Sequence, residues 1–290
     1  MFECVTNTTE TAKPETGENR MPLAADRRVK ILERVAEGSP IQVVDLAREY
    51  GCSEMTIRRD IARLERDGFL RRTYGGATAH LTRSLDVAFN ARALSNAREK
   101  RLIALTAAGL IEDARLLYVG IGTTAEHFAR YLPARSDLTV VTGSLPIAGI
   151  LGTRPLSAVV LGGSVRRDEL SCVGPVARST MERYRFDLAV LGTAGLTARW
   201  GLTDLNAEEA EIHRVAIERS ERLMVIADGS KLGLVTGSVV APAQSIHTLV
   251  TDITAPPNEV EALRALGVEI VIAVAGNHRR HLEQDEAAEA

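Results

Sequence analysis

Seven short apolar runs, with helical segments between them, dominate the chain after residue 115. They are Leu116 to Val119, Leu138 to Val141, Ala158 to Leu161, Leu188 to Leu191, Leu223 to Ala227, Thr248 to Val250 and Val268 to Val274. Runs that are apolar without alternation suit strands buried on both faces, and the intervening helices supply the cover. The pattern therefore predicts an α/β domain with a mostly parallel sheet. There is no tandem repeat of fixed period. At 290 residues and 45% apolar side chains, the chain has material for two cores.

In such a sheet, ligands settle beyond the carboxyl ends of the strands. The first run is followed by Gly120-Ile121-Gly122-Thr123-Thr124, which opens a helix from Ala125 to Leu132. Free amides, two hydroxyls and a helix N-terminus make a cradle for an anion. Thr142-Gly143-Ser144 follows the second run, Gly162-Gly163-Ser164 the third and Asp228-Gly229-Ser230-Lys231 the fifth. A glycine after a strand is most often just a tight turn. Four such loops at equivalent ends, one bearing a lysine, favour a phosphorylated ligand instead. The third glycine of a dinucleotide fingerprint is missing, and no lysine stands at P-loop spacing, so the ligand is smaller than a nucleotide and no cofactor is expected. Asp204, Asn206, Glu208 and Glu209 stand nearby, and their carboxylates would repel phosphate but can accept hydrogen bonds from sugar hydroxyls. The ligand so implied is a polyol with a phosphate at one end.

Ile41 to Thr78 follows a different pattern: two short helices, a sharp turn and a basic, glycine-tipped hairpin. Val43, Val44, Leu46 and Ala47 form the stripe of the first helix, which ends at Tyr50-Gly51. Ser53 is a good N-cap for a helix running to Asp67, with Gly68 as its stop. Ile57, Ile61 and Leu64 must face inward. Met55, Arg59, Ala62 and Arg66 then point away, with Thr56, Arg58 and Arg63 on the shoulders. A slim N-terminus with arginines one turn on suits the major groove, where guanidinium forks meet guanine edges or phosphates. Ser53, Met55, Thr56, Arg58, Arg59 and Arg63 are thus candidate DNA contacts, Thr56 and Arg59 being best placed for base edges. The hairpin turns at Gly75-Gly76 and adds Arg71, Arg72 and Tyr74 as a wing. Arginines interleaved with Glu54, Asp60, Glu65 and Asp67 also describe an ordinary solvated helix face. The preceding helix, the turn and the wing favour double-stranded DNA. Residues 53–74 hold six arginines against four acids in a chain of net charge −3. The footprint is therefore small, and specificity calls for a homo-oligomer with paired heads.

The remaining segments frame these two units. A helix from Asp26 to Glu37 presents Val29, Leu32 and Val35 inward with Ile31 on the shoulder, which completes a three-helix head over residues 21–78. Residues 1–20 are polar and expected to be disordered, and Met21 is a candidate biological start. Residues 79–97 read as a linker, 98–276 as the α/β domain and 277–290 as a charged tail. Cys4, Cys52 and Cys172 are too scattered for a disulfide framework or metal cluster, which fits a reducing cytoplasm. No apolar run is long enough to span a bilayer, so no membrane partner is expected.

Thr56-Ile-Arg-Arg-Asp60, Leu64, Gly68 and Arg72-Thr-Tyr-Gly-Gly-Ala77 resemble the winged helix-turn-helix of the DeoR family of bacterial transcription regulators. Glu99-Lys100, Gly122-Thr-Thr124, Gly162-Gly163, Gly174, Gly201-Leu-Thr203, Glu209-Ala210, Asp228-Gly-Ser-Lys231 and Thr251-Asp252 stand in the order of that family's effector domain, which is related to sugar-phosphate isomerases and CoA transferases. The resemblance implies a regulator, most often a repressor of carbohydrate metabolism genes, whose DNA affinity responds to a phosphorylated sugar. It further implies that Gly122, Thr123, Thr124 and Lys231 hold phosphate while Ser144, Asp204 and Glu209 face the sugar, with Gly162 and Gly163 at the same site. Three positions depart from the family: Gly120 stands where Asp is usual, Gly143 where Asn is usual, and His213 where Lys is common. His213 offers a pH-tunable pocket residue, but Glu211 and Arg214 beside it on a helix favour a solvated surface histidine.

Two function classes follow. The first is a ligand-responsive regulator without enzymatic activity. The alternative is a sugar-phosphate isomerase or transferase with a fused DNA-binding head, in which Asp204, Glu209 and Lys231 would supply acid and base. Against the alternative, no carboxylate directly follows any of the first three strands.

Overall fold

The computed structural model describes residues 24–36, 41–66, 70–73, 75–78, 92, 95–111 and 113–275. The two tails, most of the linker, Tyr74 and the helix stop at Asp67-Gly68 lie outside them, as do the side chains of Val29 and Arg71.

The head consists of α1 (Ala24–Ala36), β1 (Ile41–Gln42), α2 (Val43–Glu49), α3 (Glu54–Arg66), β2 (Arg71–Thr73) and β3 (Gly76–Thr78). Ile31, Leu32, Val35, Val43, Leu46, Tyr50, Ile57, Ile61, Leu64 and Leu70 fill its core. Two expectations change here. Because α2 begins at Val43, its stripe runs through residues 43, 46, 47 and 50, so Tyr50 is buried and Val44 turns out to solvent, 49% exposed. Ile31 is fully buried beside Leu32, since α1 presents a broad face rather than a narrow seam.

The wing is a three-stranded antiparallel sheet in the order β1-β3-β2. Thr73 pairs with Gly76, so Gly76 belongs to the strand and the turn does not fall on Gly75-Gly76. Gly75, at φ 81, serves the turn. Gly76 serves the pairing of β1 with β3, because a Cβ there would sit 1.8 Å from the Ile41 carbonyl oxygen.

The second unit is built on a seven-stranded parallel sheet made from the seven apolar runs: β4 (Leu116–Val119), β5 (Thr139–Thr142), β6 (Ser157–Val160), β9 (Phe186–Leu191), β12 (Ser220–Ile226), β14 (Thr248–Asp252) and β15 (Glu269–Ala273). The strand order is β15-β14-β12-β9-β4-β5-β6. The chain thus starts at β4, lays β5 and β6 to one side, then crosses to the other side for β9 and onward. That makes the crevice between β4 and β9 the topological switch point.

Alternate residues of each strand serve opposite cores, as the pleat requires. Tyr118, Ala189, Leu191 and Val225 face one layer; Leu117, Val119, Leu188, Val190 and Met224 face the other. Helices α4 (Ala97–Ala108), α5 (Thr123–Tyr131) and α6 (Leu145–Leu151) cover the second layer, while α7 (Pro175–Met181), α8 (Ala207–Glu218) and α9 (Pro257–Ala265) cover the first. The apolar runs do not announce the short antiparallel strands β7 (Ser164–Arg166) and β8 (Ser171–Val173), which pair with each other, or β10 (Gly195–Thr197), β11 (Gly201–Asp204) and β13 (Ser238–Ala241), which form a separate sheet.

Candidate functional site

In the head, Ser53 caps α3: its Oγ accepts the Thr56 N–H at 3.2 Å, and the Ser53 and Thr56 hydroxyls lie 2.9 Å apart. This fixes the N-terminus of α3 with Met55, 67% exposed, and the exposed Arg58, Arg59, Arg63 and Arg66 on its outer face. Arg58 is paired with Glu54 one turn back at 3.2 Å. Arg59 has no side-chain partner among the described residues.

The interleaved acids do not simply neutralise this face. Asp60 is buried and bonded to Arg27 of α1 at 2.6 Å, so it ties α1 to α3 and is not part of a solvated surface. Glu65 reaches the wing, where its Oε1 accepts the Arg72 N–H at 3.1 Å and its Oε2 lies 3.7 Å from Arg72 Nε. Arg72 therefore emerges from the wing already positioned. Of the wing candidates, Tyr74 and the Arg71 side chain lie outside the described residues.

In the α/β domain, a cavity of about 590 Å³ opens at the switch point. Gly122, Thr123, Thr124, Asp204, Glu209 and Lys231 all line it. Gly122, at φ 105, turns the chain from β4 into α5, whose first residues Thr123 and Thr124 are buried at the cavity wall. A helix leaves its first amides without intrahelical partners, so α5 offers them to the cavity.

Lys231 stands on a tight turn, Gly229–Lys231, whose shape is set by buried carboxylates. Asp228 accepts the Ser230 N–H at 3.2 Å and the Asn96 amide at 2.9 Å, while Asp252 accepts the Gly229 N–H at 2.8 Å and the Thr254 N–H at 2.7 Å. The Asp-Gly-Ser-Lys and Thr-Asp motifs thus act together to project one lysine.

Ser144, Gly162 and Gly163 are not among the cavity-lining residues. The loops after β5 and β6 lie on the far side of the switch point. Ser144 is buried as the N-cap of α6, accepting the Ile147 N–H at 3.3 Å. Gly162 and Gly163 turn the chain into the β7–β8 hairpin, and the tip of that hairpin brings Arg166, Asp168 and Glu169 to the cavity.

Several lining residues escape the sequence reading. Lys100 is buried on the apolar stripe of α4, three and seven residues before Ile103 and Ala107. A lysine on such a stripe was the legible signal. Its ammonium donates to the carbonyls of Arg92 and of Ser95, the latter at 2.7 Å. Burial lowers its pKa to about 8, with Asp228 opposing the shift and Lys231 and Arg92 adding to it.

His213 is buried, contrary to expectation, and donates from Nδ1 to Asp204 Oδ2 at 3.2 Å. Burial pushes the Asp204 carboxyl upward, but the His213 hydrogen bond and charge outweigh it and, with the Leu205 N–H, hold the group below its ordinary value. A Cβ at Gly120 would lie 3.4 Å from His213 Nε2 and 2.9 Å from Leu191 Cδ2, so two of the three departures are neighbours in space. The third, Gly143, packs against the Cys172 backbone, where a Cβ would lie 3.3 Å from the carbonyl oxygen.

Charge in the cavity is largely paired. Glu209 Oε1 receives Arg166 at 2.6 Å and the Ser171 hydroxyl at 2.5 Å. Asp168 also meets Arg166, at 2.8 Å, and Glu169 meets Arg92. Burial raises the Glu169 pKa to about 7, Arg92 opposing the shift and Glu209 and Asp204 reinforcing it. The Lys231 ammonium has no side-chain partner among the described residues, and Lys100 faces only carbonyls. The lining residues carry four cations against four carboxylates, so these two ammonium groups offer uncommitted donors next to a helix N-terminus in a cavity whose formal charges balance. Among the described residues, no group of three His, Cys, Asp or Glu is arranged to hold a metal ion, and no helix is long and apolar enough to cross a membrane.

The family model "DeoR-like helix-turn-helix domain" matches residues 27–82, and "DeoR C terminal sensor domain" matches residues 95–253. The chain is 30% identical over 260 residues to a putative aga operon transcriptional repressor of Escherichia coli O157:H7, covering 89% of this chain and 97% of that protein. It is 32% identical over 253 residues to the HTH-type transcriptional regulator GlpR of Haloferax volcanii, covering 87% and 99%. A ribose 5-phosphate isomerase from Methanocaldococcus jannaschii aligns at a TM-score of 0.36 and 19% identity over 48% of this chain and 55% of that one, a likeness too slight to bear on function. With a DNA-reading head and a sensor domain both matched, the chain belongs to the DeoR family of transcriptional regulators.

Proposed function

We propose that this regulator binds operator DNA as a homo-oligomer through α3 and the wing, that it represses genes of carbohydrate metabolism, and that a phosphorylated sugar in the switch-point cavity changes its affinity for the operator. In this reading residues 21–78 are the reading head and 98–276 the sensor. The observation that carries it is the placement of Lys100 and Lys231 beside the first turn of α5, with neither ammonium paired to a carboxylate among the described residues while the lining carboxylates meet arginine or imidazole partners. A phosphate can accept hydrogen bonds from both ammonium groups, and the polar remainder of the cavity suits a hydroxylated body.

Coupling to the head has a local physical basis. Lys100 holds the carbonyls of Arg92 and Ser95, and Asn96 holds Asp228. These residues immediately precede the sensor in sequence, on the side of the head. An anion that recruits the Lys100 ammonium competes with those carbonyls, so occupied and empty sensors differ in how firmly the approach to α4 is tied down. A ligand shifts an equilibrium only through such a difference in affinity for two states.

The test is a mobility shift on the region upstream of the protein's own gene, at fixed salt, with phosphorylated sugars added singly. The expected result is that one compound releases or tightens a specific complex. A compound that binds the sensor yet leaves operator affinity unchanged would refute the coupling; no binding by any phosphorylated sugar would refute the ligand class.

A further inference from the structure

The carboxylates suited by sequence to hydroxyl recognition already have partners. Asp204 Oδ2 accepts from His213 and Oδ1 from the Leu205 N–H at 2.7 Å, and Glu209 Oε1 is held by Arg166 and Ser171. Two other buried oxygens of cavity-lining residues have none among the described residues: Glu169 Oε2 and Thr236 Oγ1. We infer that Glu169 and Thr236 read the hydroxyl groups of the bound molecule and set the preference for a polyol phosphate over phosphate alone. The inference rests on the sugar-phosphate reading above.

Both residues are firmly mounted. Glu169 sits at the tip of the β7–β8 hairpin, anchored through its other oxygen by Arg92. The next residue, Leu170, is held at φ 48, a left-handed conformation that non-glycine residues adopt only where surrounding structure imposes it. The Leu145 N–H fixes that peptide by donating to the Leu170 carbonyl at 2.9 Å. The turn sends Leu170 outward and Glu169 to the cavity. Thr236 donates its N–H to Thr203 Oγ1 at 3.0 Å, next to Asp204, which leaves its own hydroxyl as the spare group.

A buried oxygen without a partner has lost its water and gained nothing in exchange. Small torsional adjustments turn either group to the cavity, since the terminal torsion of a glutamate is broad. A ligand hydroxyl can then donate to Glu169 and accept from Thr236, recovering the lost bonds. Inorganic phosphate, held at the cationic end, does not offer that exchange. Sites whose polar groups are satisfied only by a hydroxylated ligand discriminate strongly against one that lacks the hydroxyl.

The experiment is calorimetric titration of the full-length wild type, Glu169→Gln, Thr236→Val and Thr236→Ser with inorganic phosphate, glycerol phosphate, a pentose phosphate and a hexose phosphate. The expected result is that Glu169→Gln and Thr236→Val weaken the preferred sugar phosphate about tenfold each. Inorganic phosphate should stay within about twofold, or tighten in Glu169→Gln as Arg92 loses its counter-charge, and Thr236→Ser should restore the preference. The inference is overturned if the wild type prefers a sugar phosphate and both variants keep the same ratio, or if both lose sugar phosphate and inorganic phosphate in equal measure. A wild type that binds inorganic phosphate but prefers no sugar phosphate overturns the parent reading, and this inference with it.

Discussion

The head and the sensor both bury charge, to opposite ends. In the head the buried pair of Arg27 and Asp60 joins two helices from within, leaving the outer face of α3 exposed. In the sensor, buried Lys100, Glu209 and His213 and half-buried Glu169 and Arg166 meet in one cavity, where Glu169 keeps one oxygen without a partner among the described residues. A reading surface carried by one helix needs only a sound scaffold beneath it. A cavity drawn from loops and helices between residues 92 and 236 depends on every element around it.

The comparison breaks most sharply at Asp60. Asp60→Ala removes the carboxylate that faces the buried Arg27, and breaking a buried pair from one side costs about 3–5 kcal/mol. The head should unfold and operator binding vanish, while phosphate affinity of the sensor persists. Chemical denaturation together with calorimetry checks both halves, and replacing the pair by apolar residues, Arg27→Met with Asp60→Leu, should recover most of the loss. A folded, DNA-competent Asp60→Ala would remove the contrast.

Lys231→Ala should have the reverse phenotype. Loss of a hydrogen bond to a charged group is worth about 1.5–3 kcal/mol, so inorganic phosphate should weaken at least tenfold in titration while specific DNA binding is unchanged. Loss of DNA binding would instead give Lys231 a folding role.

Arg59→Ala should reduce discrimination between operator and random DNA by about 1–3 kcal/mol if it reads a base edge. Arg72→Ala should weaken both DNAs alike and flatten the salt dependence, because its backbone and side chain are already oriented by Glu65. Identical behaviour of the two variants would erase the division between reader and positioner.

The next test is pH. Lys100 has a folded pKa of about 8, against 10.5 for a free lysine side chain. Between those values the unfolded chain binds more protons, so this group's contribution to stability rises with pH through the window. Anion binding that needs the ammonium runs the other way, weakening about fivefold from pH 8 to pH 9. Affinity that stays flat across that interval would exclude Lys100 from the anion site. The smallest effect belongs to Leu170→Gly, which relieves the left-handed backbone and should stabilise the sensor by about 0.5–1 kcal/mol in thermal unfolding.

Much of this molecule was legible in local pattern. All seven strands of the parallel sheet appear as apolar runs, displaced at their ends by up to three residues; a central strand buried on both faces has no choice but to be apolar, while the edge strands β6 and β15 are apolar though largely exposed or half-buried. Ile57, Ile61 and Leu64 declare the inward face of α3 through helical period, and Ser53 declares its start. The strands β7, β8, β10, β11 and β13 were not legible, being only three or four residues long and mixed in polarity. Asp60 and His213 looked solvated for the same reason: each stands among charged neighbours in sequence, and nothing local reports that Arg27 or Asp204 waits in space.

The sequence by itself determined the seven strands of the parallel sheet, the helices of the head, and that α5 begins at a glycine and two threonines. Those are properties of residues and their near neighbours. Only the tertiary structure decided which of the four glycine-rich loops share a cavity. Gly122 and Lys231 do and Ser144 does not, because the chain crosses over between β6 and β9, and that crossing is set by how whole layers pack. The same packing decided that Asp204 and Glu209 are engaged and that Glu169 and Thr236 each keep an oxygen without a partner among the described residues.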